Sequence, residues 1–130
     1  MNQTTFLLDT DVLIDFFKKL PAAIKLITSL AQGHRLVISI LSISELRTGW
    51  TEKEAKSLLP HLYKAFVILP ISLEAAETAG SIRRLYLSKG LSLPTIDTII
   101  AAQAITLKAT LITRNKKHYP MNELKIYKDY

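Results

Sequence analysis

The stretch Thr4-Thr5-Phe6-Leu7-Leu8-Asp9-Thr10-Asp11-Val12-Leu13-Ile14-Asp15 decides how the rest of the chain is read. Residues 4–8 are β-branched, aromatic or apolar throughout and stop abruptly at Asp9, the pattern of a strand buried on both faces in a parallel sheet. Val12 to Phe17 then reads as a short helix, so an acidic turn joins a buried strand to a helix. In an open parallel sheet, ligands bind in the crevice beyond the carboxyl ends of the strands. Three of the five Asp residues (Asp9, Asp11 and Asp15) fall there, the others being Asp97 and Asp129. A lone Asp at such a junction can equally cap the helix by accepting its free N–H groups. This stretch by itself therefore leaves both readings open.

Working outward, Ala22 to Leu30 continues helically after Pro21 as far as Gly33, and Leu36 to Ile40 is a second strand. Ser42 or Ser44 is expected to cap the helix carrying Glu45, which ends at Thr48-Gly49. Glu52 to Ala65 shows a helical stripe at Ala55, Leu58, Leu59 and Leu62, with Pro60 expected to kink it or to begin a new helix. Val67 to Leu69 is a short strand. Ser72 opens the longest helix, Leu73 to Leu87, with Ala76, Ala79, Ile82, Leu85 and Tyr86 assigned to one side. Thr95 is the expected N-cap of a helix from Ile96 to about Lys108, its inner face Ile96, Ile99, Ile100 and Ala104. Strands at Thr110–Thr113 and Leu124–Tyr127 complete the chain. Strands alternating with helices predict an α/β fold, a mostly parallel central sheet with helices on both faces. At 130 residues this is a single domain spanning 1–130.

Composition removes several chemistries. With no Cys, thiolate metal sites, cysteine nucleophiles and disulfides are excluded, and His34, His61 and His118 lack the i, i+4 spacing of a zincin helix. Seventeen Lys and Arg against eleven Asp and Glu give a net charge of +6, which favours a polyanionic partner. The first residues carry no basic region and no apolar run approaches about 20 residues. The expectation is a soluble, cytoplasmic protein that does not enter membranes.

Glu45 and Asp97, each placed near a helix start, could separately do no more than offset a macrodipole. If the sheet brings them to Asp9, three carboxylates converge, and like charges at close range need a multivalent cation to stay ionised. An all-oxygen donor set selects Mg²⁺ or Mn²⁺, for which hydrolysis of a phosphodiester is the natural chemistry.

Four blocks carry a family resemblance. Residues Leu7 to Asp15, Ser42-Ile43-Ser44-Glu45-Leu46-Arg47-Thr48-Gly49, Ile96-Asp97-Thr98-Ile99-Ile100-Ala101-Ala102-Gln103-Ala104 and Leu111-Ile112-Thr113-Arg114-Asn115-Lys116-Lys117-His118-Tyr119 resemble the signature blocks of PIN-domain ribonucleases, specifically VapC-type toxins of toxin–antitoxin pairs. The blocks span residues 7 to 119, in order and at family-like spacing. The resemblance implies a single PIN-like domain acting as a Mg²⁺-dependent endoribonuclease, with Mn²⁺ as an alternative ion. It makes Asp9 and Asp97 the direct metal ligands, Glu45 a ligand through water or an orienter of the attacking water, and Thr113 a hydrogen-bonding support. Family members often carry a fourth carboxylate in the last block. Here Asn115 and His118 hold the candidate positions, and Asn115 offers only an uncharged carbonyl oxygen. Arg114, Lys116, Lys117 and His118 are candidates for RNA contact, with solvated charge as the ordinary alternative. Implied partners are an RNA substrate, a VapB-type antitoxin and a second copy of the chain as a homodimer. Trp50, Tyr127 and Tyr130 could stack on bases or simply pack. Of the adjacent Phe16 and Phe17, one is expected to leave apolar surface outside the core.

Two other classes compete. The opening Asp-x-Asp string also suits a haloacid-dehalogenase-type phosphatase, but such an enzyme needs a late acidic pair, and no acids are paired after Asp97. A receiver-like domain needs a mid-chain Asp, and none lies between Asp15 and Asp97. The remaining alternative is a PIN-like module that binds RNA or protein without cutting, for which Asn115 is the supporting feature.

Overall fold

The computed structural model describes residues 3–130. Among these, β1 (Thr5–Leu8), β2 (Arg35–Ser39), β3 (Val67–Leu69), β4 (Thr110–Ile112) and β5 (Lys125–Ile126) form one sheet in the order β3-β2-β1-β4-β5, parallel at every pairing. Six α-helices connect them: α1 (Thr10–Phe17), α2 (Pro21–Ala31), α3 (Ile40–Gly49), α4 (Glu52–Ala65), α5 (Leu73–Ser88) and α6 (Thr95–Leu107). A short 3₁₀ turn at Lys116–His118 follows β4.

Side chains alternate across a strand, and β1 divides its residues accordingly. Phe6 and Leu8 enter one core with Ile38 and Ile112 of the neighbouring strands and with Leu13, Ile27, Leu46 and Leu62 of α1 to α4. Leu7 enters the opposite core with Val37, Leu111 and Ile100, Ala101 and Ala104 of α6. Both faces of β1 are thus covered, as its unbroken apolar run requires. Small side chains draw α5 onto α6, where Ala75, Ala79 and Ala102 pack together.

Several local expectations change. The helix after β2 starts earlier, at Ile40, because Ser39 and not Ser42 or Ser44 caps it, its Oγ accepting from Leu41 N at 3.1 Å. Glu45 consequently lies mid-helix, where the dipole explanation for its placement does not apply. Pro60 sits inside an uninterrupted α4. Its missing N–H leaves the Lys56 carbonyl free on an exposed face, where water can serve it. The inner face of α5 is Ala75, Ala79, Ile82 and Tyr86, while Ala76 and Leu85 point to solvent. Thr95 is the first residue of α6 and not its cap, Pro94 occupying that position without a side-chain bond, and Ile96 is exposed. Phe16 and Phe17 are both half-buried, with edge-to-face contacts to Phe66 and Trp50 respectively. No helix among the described residues is long and apolar enough to cross a membrane.

Candidate active site

The strand order reverses at β1: β2 and β3 lie to one side, β4 and β5 to the other. A crevice opens at such a reversal beyond the strand ends, and Asp9 and Thr113 are the first residues past β1 and β4. Asp9 N donates to Ile112 O at 2.9 Å, closing the two strand ends together. The Asp9 side chain both caps α1 and faces the crevice. Oδ1 accepts from Thr10 N at 2.8 Å, and Oδ2 accepts from the Thr113 hydroxyl at 2.9 Å and the Tyr119 phenol at 2.7 Å. Asp11 Oδ2 accepts from Arg114 N at 2.9 Å, and Asn115 N donates to Thr113 Oγ1 at 3.0 Å, so the loop after β4 is folded onto the turn after β1.

Glu45 reaches the crevice from α3. Its Oε1 accepts from the Thr10 hydroxyl at 2.5 Å, and Ser42 Oγ stands 2.8 Å from that same hydroxyl oxygen. Asp97, in the first turn of α6, has Oδ2 3.0 Å from His118 Nδ1. Asp9, Thr10, Asp11, Ile14, Glu45, Asp97, Asn115 and His118 together line one cavity of about 380 Å³. The three carboxylates singled out from the sequence therefore share a cavity, together with Asp11. They ring it and are not clustered: among the described residues no three acidic or His side chains form a ready cation cage.

Electrostatics distinguishes these acids. Burial, and then the charge of Asp9, push the Asp11 carboxyl above the ordinary Asp range despite the Arg114 N–H. The same two causes raise Asp97, with His118 opposing them. The Tyr119 phenol is raised by burial and by Asp9, so it remains a donor. Asp11 Oδ1 is buried without a hydrogen-bond partner. An orphaned carboxylate oxygen, an all-oxygen set of acids and mutual repulsion among them fit a hard divalent cation that retains waters. Asp9, Asp11 and Asp97 are the residues that would hold one, with waters completing its shell.

The basic residues of the last block take other positions. Arg114 Nε lies 2.8 Å from buried Asp15 Oδ2, which also accepts from the Tyr130 phenol at 2.6 Å. Lys116 Nζ donates to the Lys128 and Tyr130 carbonyls at 3.0 and 3.1 Å. Lys116 thus anchors the C-terminal residues and Arg114 is paired with α1, while Lys117 is exposed and His118 meets Asp97. Tyr127 packs edge-on against Phe6. Sequence reasoning left out Thr10, which holds Glu45, Ser42, whose hydroxyl meets that of Thr10, and Tyr119, whose bond to Asp9 joins residues 110 positions apart. Asp11 carried a signal in lying two residues beyond Asp9. Tyr119 carried none.

A parallel sheet with acidic side chains gathered at its point of reversal defines a class, and a family model confirms which: the PIN domain matches residues 6–124, and the chain belongs to that family. Its relatives narrow the kinship. The chain is 33% identical over 116 residues to Ribonuclease VapC19 of Mycobacterium tuberculosis, covering 88% of this chain and 92% of that protein. It is 31% identical over 129 residues to Ribonuclease VapC1 of Methanocaldococcus jannaschii, covering 97% and 89%. In structure it is similar to a chain of VapBC2 from Rickettsia felis, solved bound to a DNA fragment from its promoter. That match has a TM-score of 0.85 and 25% identity, over 95% of this chain and 98% of that one.

Proposed function

We propose that this chain is a divalent-metal-dependent endoribonuclease, the toxin of a toxin–antitoxin pair, restrained by a VapB-type antitoxin. The observation that carries the reading is the placing of Asp9, Asp11, Glu45 and Asp97 around one cavity at the sheet's reversal point, with Arg114 and Lys116 committed elsewhere. The names of the relatives, Ribonuclease VapC, and a structural neighbour that is a VapBC protein support it. Bound among these acids, Mg²⁺ or Mn²⁺ would supply charge neutralisation and Lewis acidity at the scissile phosphate.

The chain's own residues do the rest. Asp9 is oriented by Thr10 N, Thr113 and Tyr119, which fix the carboxylate at the cavity wall and leave one acceptor position, on Oδ1. Glu45, with one oxygen held by Thr10, keeps the other free to orient a water and accept its proton. Asn115 contributes a neutral amide to the cavity wall, and His118 holds Asp97. Purified protein should cleave cellular RNA with Mg²⁺ or Mn²⁺ and stop in EDTA and in Asp9→Asn and Asp97→Asn. Variants that cut as fast as the wild type would remove the assignment.

The His118–Asp97 contact favours one second reading, a module that binds RNA without cutting, because it occupies an Asp97 oxygen. RNA binding by wild type, with no cleavage under any divalent ion, would select it. Family membership sets aside the phosphatase reading.

A further inference from the structure

A second cleft, of about 300 Å³, adjoins the acidic cavity and shares Ile14 and Glu45 with it. Its walls are apolar, made by Phe17, Leu46 and Leu58 with the chain's only tryptophan, Trp50. Trp50 is half-buried, set edge-on against Phe17 at 5.2 Å, with its carbonyl held by Arg47 Nη1 at 2.8 Å. Three charged groups interrupt the apolar lining: Glu45, Glu54 and Lys18. Glu54 spends one oxygen on the capping box of α4, Oε1 accepting from Thr51 N at 3.0 Å, and Glu45 spends one on Thr10. Each carboxylate keeps a second acceptor oxygen.

Two carboxylates repel phosphate, so the cleft does not suit the backbone of a nucleic acid. Apolar walls that include aromatic rings suit a base. We infer that the cleft is a nucleobase subsite for the nucleotide beside the scissile phosphate, and that it selects guanine. This deepens the ribonuclease reading and rests on it for the identity of the polymer. Guanine presents on one edge an N1–H and an exocyclic amino group, donors for the Glu54 carboxylate, and the O6 acceptor, a partner for the Lys18 ammonium, which leaves the free oxygen of Glu45 to its water. Uracil offers one N–H between two carbonyl oxygens and would set an oxygen against a carboxylate.

The sole tryptophan provides a readout independent of cleavage and of metal. In EDTA, GMP titrated into the wild-type protein should quench or shift Trp50 fluorescence saturably. UMP should bind about tenfold more weakly, and ribose 5-phosphate should have no effect. Glu54→Gln keeps the capping box, since Gln serves there as Glu does, yet replaces the free acceptor by a donor. In this variant the GMP-to-UMP preference should collapse to within about threefold while the melting temperature is retained. Mapped RNA ends should show guanine beside the wild-type cut and lose that bias in Glu54→Gln.

Absence of any nucleotide response, equal responses to GMP and UMP, or an unchanged preference in Glu54→Gln overturns the proposal. A response to N-acetylphenylalaninamide but to no nucleotide overturns it in favour of a protein side chain as occupant. If wild type cuts no RNA, the ribonuclease reading falls, and the fluorescence titration alone still decides the subsite. If wild type cuts with no guanine bias, the subsite falls and the ribonuclease reading stands.

Discussion

Removing one oxygen, Tyr119→Phe, tests whether the acidic cavity is held by the buried phenol. The Tyr119 ring is 3% exposed and packs with Leu93, Ile100 and Leu111, contacts that a Phe ring preserves. What disappears is a 2.7 Å bond from O–H to a carboxylate, of the kind that contributes about 1.5–3 kcal/mol when one partner is charged. Taking about 2 kcal/mol and a melting entropy of about 2.1 cal/mol/K per residue, the melting temperature should fall by about 7 °C at pH 7 in EDTA. Tyr86→Phe is the control. Its phenol donates to the Pro120 carbonyl at 3.1 Å, an exposed neutral bond whose loss should move the melt by less than about 3 °C. The pH dependence supplies a second signature. The folded-state pKa of Tyr119 is raised above the ordinary 10.0 by burial and Asp9, so its phenol stays neutral while the unfolded chain ionises. The stability it contributes is full below pH 10 and is lost as pH rises beyond that, so the gap between wild type and Tyr119→Phe should narrow in alkali. Circular dichroism melts from pH 7 to 11 measure both. A Tyr119→Phe melt within about 2 °C of wild type at pH 7, or a gap that widens with alkali, refutes the argument.

Other outcomes follow from the same geometry. Asp97→Asn should melt above wild type at pH 7 in EDTA. The raised folded pKa of Asp97 means that its stability contribution declines as pH climbs above 3.8, so the advantage should vanish as pH returns toward 4. Mg²⁺ or Mn²⁺ at about a hundred times its dissociation constant should stabilise wild type by about 2.7 kcal/mol, close to 10 °C, and leave Asp9→Asn unmoved in a thermal-shift assay. Glu45→Gln retains an oxygen for the Thr10 hydroxyl, so its melt should stay within about 2 °C of wild type while cleavage falls about a hundredfold or more.

The parts of this molecule that could be read in advance are those whose cause is local. An apolar run ending in Asp9 has to be a buried strand meeting the rim of a sheet, and β1 is central with both faces covered. Asp9, Glu45 and Asp97 each had an ordinary local explanation, a helix cap or an offset dipole, and were legible only together, through the four blocks at family-like spacing. Helix starts were less legible: Ser42 and Ser44 are the expected caps of α3, and Ser39, read as part of the second strand, takes that position because the strand ends one residue earlier than its apolar run suggests. The inner face of α5 was misjudged by one position because Ala76 and Ala75 are equivalent in composition, and only contact with Ala79 and Ala102 separates them. Tyr119 and Thr10 were invisible for a different reason. Their partners lie 110 and 35 residues away, and no periodicity records a pairing that depends on the whole sheet order.

The disposition of the cations is the less obvious half of the site. Four acids around one cavity in a chain of net charge +6 could have been neutralised by its own lysines and arginines, and the last block supplies three between Thr113 and His118. Instead Arg114 is drawn to Asp15, itself fixed by Tyr130, and Lys116 to the Lys128 and Tyr130 carbonyls. Asp15 thus acts as a decoy, a buried acid one residue past the cavity wall at Ile14 whose charge holds the nearest guanidinium off the others. The burial of Asp11 and Asp97 then raises their carboxyls without a strong internal counter-charge, leaving electrostatic work for an external cation. If that division matters, Asp15→Asn should release Arg114 toward the cavity and weaken Mg²⁺ binding, although Asp15 lines no part of it. Unchanged Mg²⁺ affinity in a folded Asp15→Asn protein would show that Arg114 is indifferent to the acids.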